Sequence, residues 1–224
     1  MYYYRIAIGI AFLILSSNVF GQTRYGVKAG VNFPKFTFLE PVFIMDGDEF
    51  VEYDGDKQES VNTKAVTNFY ITGFTSFMLS KRIALEPGIT LEGRGGKIPD
   101  YGYEANYMFV GVPLAVSYYL PMRFGGDVVI SAGGHYGLNF SGTYSGVVDN
   151  TDPENPIIEE NDISYGRYED FRKDDYGFNF GLGYKFNNGL LINTSYTLGL
   201  RNLGTIRNEE LKSRVFSIGL GYQL

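Results

Sequence analysis

Phe216-Ser217-Ile218-Gly219-Leu220-Gly221-Tyr222-Gln223-Leu224 puts a large apolar side chain at every second position and a small or polar one between. Side chains of a strand alternate between its two faces, so this segment is a strand with one greasy side and one hydrophilic side. Working back, Tyr176, Phe178, Phe180, Leu182, Tyr184 and Phe186 alternate in the same way with Gly177, Asn179, Gly181, Gly183 and Lys185. Tyr25, Val27, Ala29, Val31 and Phe33 alternate with Gly26, Lys28, Gly30 and Asn32.

The weaker face decides the class. Glycines, asparagines and a lysine bury too little apolar area to offset the ordering of the chain. A soluble barrel fills its interior with large apolar residues and turns polar ones to water. Here the aromatic face must meet lipid and the polar face a narrow lumen. The competing reading is a soluble sandwich with one buried face per strand. Further strands are expected near 64–80, 82–94, 105–120, 124–144 and 189–202, which makes eight. Short turns fall at Ser80-Lys81, Pro121-Met122 and Asn187-Asn188-Gly189, and long polar connections at about 35–63, 95–104, 145–172 and 203–211. The expectation is an all-β, eight-stranded, antiparallel up-and-down transmembrane β-barrel with both termini in the periplasm.

Ahead of the first strand, Met1-Tyr2-Tyr3-Tyr4-Arg5 precedes an apolar run from Ile6 to Leu15, then Ser16 to Gly21. The run is shorter than the ~20 residues a spanning helix needs, so residues 1–21 read as a signal peptide and 22–224 as the exported domain. No cysteine follows the cleavage point, which excludes a lipid-anchored lipoprotein. With 29 Gly, 19 Tyr and 18 Phe but no Trp or Cys, the composition suits a β protein with aromatic girdles and offers no thiolate chemistry. A net charge of −6 without a basic patch argues against nucleic acid.

The chain resembles the PorT-like outer-membrane β-barrel family. The resemblance runs through Gly26 to Phe33, Phe69 to Leu79 with Gly73, Leu85-Glu86-Pro87, the Pro113 strand, Asp175-Tyr176-Gly177 with Gly181 and Gly183, Tyr196 to Leu200, and Ser217 to Leu224. It implies an outer-membrane location and eight strands, and no established activity. In the Pro113 strand the family usually carries an acidic residue where this chain has Gly111 and a basic one where it has Ser117, so that ion pair is missing.

Ser217, Gly219, Tyr222 and Leu224 fit the pattern that barrel-assembly machinery reads on a closing strand. By parity, Lys28, Glu86, Glu92, Arg94, Asp127, Asp175, Lys185 and Arg201 face the lumen or its mouth. In a barrel just wide enough for side chains to fill, such charges most simply pair as a polar plug; a conducting path is the alternative. His135, the single histidine, has lumen parity near Ser131 and Asn139, too deep for a catalytic rim. No catalytic, cofactor or metal site is expected. The first long connection holds Asp46, Asp48, Glu49, Glu52, Asp54 and Asp56, and the third Asp149, Asp152, Glu154, Glu159, Glu160 and Asp162. They lack EF-hand spacing, so solvated acidic loops are favoured over a divalent-cation site. Phe36, Phe38, Val42, Phe43, Ile44, Ile157 and Ile158 within these connections imply strands that protrude from the membrane and pair there, giving an edge able to recruit another chain. The expected role is a non-enzymatic envelope or surface-interaction protein; the alternative is a small channel or a transport or secretion accessory. Expected partners are outer-membrane lipid and lipopolysaccharide, the assembly machinery, and a protein bound through the outer loops.

Overall fold

The structure, a computed structural model, describes residues 23–46, 49–149, 157–166, 169–205 and 209–224. The signal-peptide segment lies outside them. Ten strands form one antiparallel sheet: β1 (Thr23–Asp46), β2 (Glu49–Val61), β3 (Asn68–Met78), β4 (Ile83–Ile98), β5 (Tyr103–Pro121), β6 (Asp127–Asp149), β7 (Ile157–Asp162), β8 (Asp174–Lys185), β9 (Leu190–Gly199) and β10 (Glu210–Gln223). A single 3-10 turn at Pro99–Tyr101 joins β4 to β5. The pairing order is β10-β9-β8-β6-β5-β4-β3-β1-β2, with β7 against β6. β10 also pairs with β1, from Gly26↔Gln223 to Leu39↔Glu210, so the sheet returns on itself and leaves β2 and β7 outside the circuit.

Among the described residues there are thus ten strands where eight were expected, eight of them in the circuit. β1 and β6 run for 24 and 23 residues, about twice the 9–11 that a tilted strand needs to cross a bilayer. Their far halves would carry unpaired N–H and C=O groups. β2 satisfies those of β1 and β7 those of β6. Both accessory strands lie in stretches that read as polar connections. In water neither face of a strand needs to be apolar, so no alternation marks them.

The three expected short turns fall at 79–82, 122–126 and 186–189, all at one end with Thr23 and Gln223. The long connection expected at about 95–104 is corrected to a short link at 99–102 at the other end, because β4 and β5 pair out to Ile98↔Tyr103. The second turn differs from expectation, because β6 begins at Asp127 and not near 124. Gly125 and Gly126 carry φ of +93° and +85°, a left-handed pair that strands do not accommodate. Gly189, at φ +89°, closes the third turn.

Burial is inverted relative to a water-soluble protein. Val27, Val31, Phe69, Ile71, Val112, Phe178, Ile218 and Leu220 are exposed on the outside, while Asn32, Ser76, Glu86, Arg94, Asn139, Asp175 and Ser217 are buried within. Buried apolar side chains cluster toward the two ends. At the end away from the short turns Phe36, Phe38, Ile98, Tyr107, Phe171 and Leu203 pack together; near the turns a small set forms from Ala84, Tyr119, Val129 and Leu191.

Candidate functional site: the charged interior

The interior is built in layers. Outermost, Arg201 Nη2 donates to Asp174 Oδ1 at 3.1 Å and Lys97 Nζ sits 2.6 Å from Glu104 Oε2, both pairs part-exposed. Beneath them lies the aromatic cluster. Phe36 stacks on Tyr107 with centroids 6.4 Å apart, and Phe171 stands edge-on to both. Burial among these rings pushes the nearby Tyr103 and Tyr165 hydroxyls well above their usual range, with the Asp170 charge adding to the rise at Tyr103.

Under that lid, Arg94 is 1% exposed and spans the ring. Its Nε and Nη2 donate to Glu92 Oε1 at 2.9 and 2.5 Å, and Nη1 donates to Asp175 Oδ2, a carboxylate 0% exposed. The guanidinium carbon lies 3.5 Å from the Phe109 ring centroid, a stacked geometry that a planar cation favours. Phe109 has its place because Gly111 and Gly137 lack side chains: a Cβ there would lie 2.4 and 2.5 Å from the ring. Gly111 thus makes room for an aromatic platform under an arginine.

A cavity of about 150 Å³ follows, lined by Lys28, Tyr70, Glu92, His135, Asn179 and Asn193 among others. His135 meets Phe109 edge-on and its Nδ1 lies 2.9 Å from Asn179 Oδ1; its Nε2 has no partner. The floor is a second network. Glu86 accepts from Ser76 Oγ at 2.6 Å, Ser117 Oγ at 2.6 Å and Tyr119 OH at 2.7 Å, and Gln223 Nε2 donates to Ser76 Oγ at 2.7 Å. Ser117, at the second departure from the family pattern, thus contributes to this floor. Lys185 and Asp127 are register partners at the turn end, with Lys185 Nζ 5.7 Å from the Tyr119 ring centroid.

Of the charges singled out by parity, Glu92, Arg94 and Asp175 share one network, Lys28, Glu86, Glu92 and Lys185 line the cavity, and Asp127 and Arg201 stand at the mouths. Ser217 and Gly219 are buried on the inner side of β10, and Tyr222 and Leu224 are exposed outside. Sequence reasoning missed Ser76, Tyr119 and Gln223, although their inward parity was readable. The lid was not foreseen as a unit: Phe36 and Phe38 were singled out and Tyr107 lies in an expected strand, but Phe171 and Leu203 come from connections, and only the fold brings them together. Among the described residues no cluster of three or more His, Asp or Glu side chains is placed to hold a metal. The acidic residues 46–56, with Asp149, Asp152 and Glu154, lie outside the residues whose side chains are described. Glu159, Glu160 and Asp162 are exposed.

A closed antiparallel sheet with an apolar exterior and a charged interior is the construction of a protein dissolved in a bilayer. Residues 16–204 match the family model described as outer membrane protein beta-barrel domain. The chain belongs to that family of bacterial outer-membrane barrels. No curated protein matches it. Among solved structures it is similar to the outer membrane protein OprG from Pseudomonas aeruginosa, at 12% identity over 91% of this chain and 97% of that one, with a TM-score of 0.45. It is also similar to Ail, the attachment invasion locus protein of Yersinia pestis, at 12% identity over 91% and 99%, TM-score 0.40. Neisserial surface protein A gives 11% identity over 89% and 96%, TM-score 0.42.

Proposed function

We propose that the eight strands of the closed circuit are the transmembrane barrel of a PorT-like member, exported by a signal peptide with both termini periplasmic. It works as a non-conducting, non-enzymatic scaffold of the outer membrane. The accessory strands β2 and β7 stand outside the cell and present acidic edges to lipopolysaccharide or a protein partner, and β10 is the strand read by the assembly machinery. The observation that carries this reading is the Glu92–Arg94–Asp175 network under the Phe36–Tyr107–Phe171 lid, two consecutive obstructions across the axis. Moving an ion past them means unmaking a buried ion pair, a cost of several kcal/mol per charge.

The test is planar-bilayer conductance of refolded residues 22–224, with heat-modifiable gel migration showing that the barrel formed. A folded sample without ohmic steps is expected. Reproducible steps would overturn the plugged assignment in favour of a channel.

A further inference from the structure

The ladder between β3 and β4 is interrupted. Register is continuous from Phe74↔Gly88 to Phe77↔Leu85, yet no ladder pairing joins Thr75 and Ser76 to Glu86 and Pro87. On the other edge of β4 the pairing lapses between Pro87↔Leu114 and Thr90↔Gly111, opposite Pro113. Proline supplies no amide donor and is avoided within sheets for that reason. Glu86 and Pro87 are thus held from the β5 side alone, and Gly88 and Ile89 from the β3 side alone.

A groove runs over this seam on the lipid-facing surface, lined by Tyr25, Ile71, Phe77, Pro87, Ile89 and Leu91. Gly73 leaves it open, since a Cβ there would meet nothing within 4 Å. Directly behind lies the interior cavity. Phe74 and Gly88 line both spaces, so at this point the partition is one ring and one glycine. The Phe74 ring rests in the space left by Gly26, and Lys28 Nζ sits 4.3 Å from its centroid. Lys28 lines the cavity with Glu86, Glu92 and Lys185, and among the described residues it forms no ion pair. The nearby Glu86 carboxylate is engaged by three neutral hydroxyls. A desolvated ammonium without a bonded anion is a costly arrangement that a bound anion relieves.

We propose that this seam is a lateral portal and that the cavity receives the head of a membrane-dissolved long-chain carboxylate. Its carboxylate meets Lys28 Nζ, and its alkyl chain passes Phe74 and Gly88 into the apolar groove. A space near 150 Å³ holds about a benzene-sized group, enough for a carboxylate and its first methylenes and too small for a sugar or glycerophosphate head. The portal goes beyond the scaffold reading and is independent of it: the axis stays shut to ions while the wall exchanges a ligand with the bilayer.

The experiment uses the refolded mature chain in phosphatidylcholine nanodiscs and palmitate carrying a ¹³C carboxyl, followed by NMR against protein-free nanodiscs. Saturable one-site binding is expected, at least tenfold weaker in Lys28→Met and for hexadecanol in place of palmitate. The chain has no cysteine, so Thr75→Cys with Pro87→Cys installs its sole thiols across the seam. Oxidising them should slow palmitate exchange at least tenfold, and reduction should restore it in the same molecule. A folded protein that shows no saturable binding, equal affinity in Lys28→Met, or exchange indifferent to the staple each overturns the proposal, whatever the conductance measurement gives.

Discussion

Arg94 shows what one residue contributes when its charge is buried and its partners come from afar. Its guanidinium joins Glu92 two residues away and Asp175 across the ring while lying on Phe109. Arg94→Met strands two buried carboxylates and should lower stability by about 3–5 kcal/mol, read from urea unfolding in lipid vesicles. Adding Glu92→Gln and Asp175→Asn should recover much of the loss, because the penalty lies in the unpaired charges. Gly111 makes the same point from the other side. Gly111→Ala drives a methyl into the Phe109 ring and should cost about 1–3 kcal/mol by overpacking, while leaving strand content by circular dichroism unchanged. Both residues have readable inward parity. Their partners do not: nothing local to Gly111 announces that its missing side chain seats a ring two residues away.

At the scale of the element, the alternation in β10 sets which face is greasy, and the structure places Ile218 outside and Ser217 inside. Ile218→Lys should therefore destabilise the folded state in vesicles by about 2–4 kcal/mol, as a cation does on the lipid face near the bilayer middle; a negligible effect would contradict a lipid-facing exterior. β2 and β7 behave differently. Each pairs with one neighbour and neither joins the circuit, so replacing 41–58 by Asn-Gly between the register partners Glu40 and Glu59 should leave heat-modifiable migration intact. Loss of that behaviour would make β2 part of the folding unit. Protruding, paired strands were expected here from the apolar residues in these connections, but their bounds were not legible, because the apolar period vanishes where a strand leaves lipid and backbone pairing leaves no mark on composition.

For the whole molecule, the three turns at 79–82, 122–126 and 186–189 share one end of the barrel with Thr23 and Gln223, and the accessory strands stand at the other. An epitope inserted in the β6–β7 connection should be labelled on intact cells, and one placed just before Thr23 only after the outer membrane is opened. Labelling of both on intact cells would reverse the orientation. Fold class, the lipid-facing stripe and the three short turns were determined by the sequence itself, because each depends on side-chain order within a few residues. The plug, the lid and the seam were decided by tertiary structure alone. Closing the sheet sets which inward side chain faces which, and it brings Arg94 to Asp175 across 81 residues and Phe74 between a lipid groove and an interior cavity. Local period carries no information about that stagger, since it is fixed by how strands distant in the chain register around the ring.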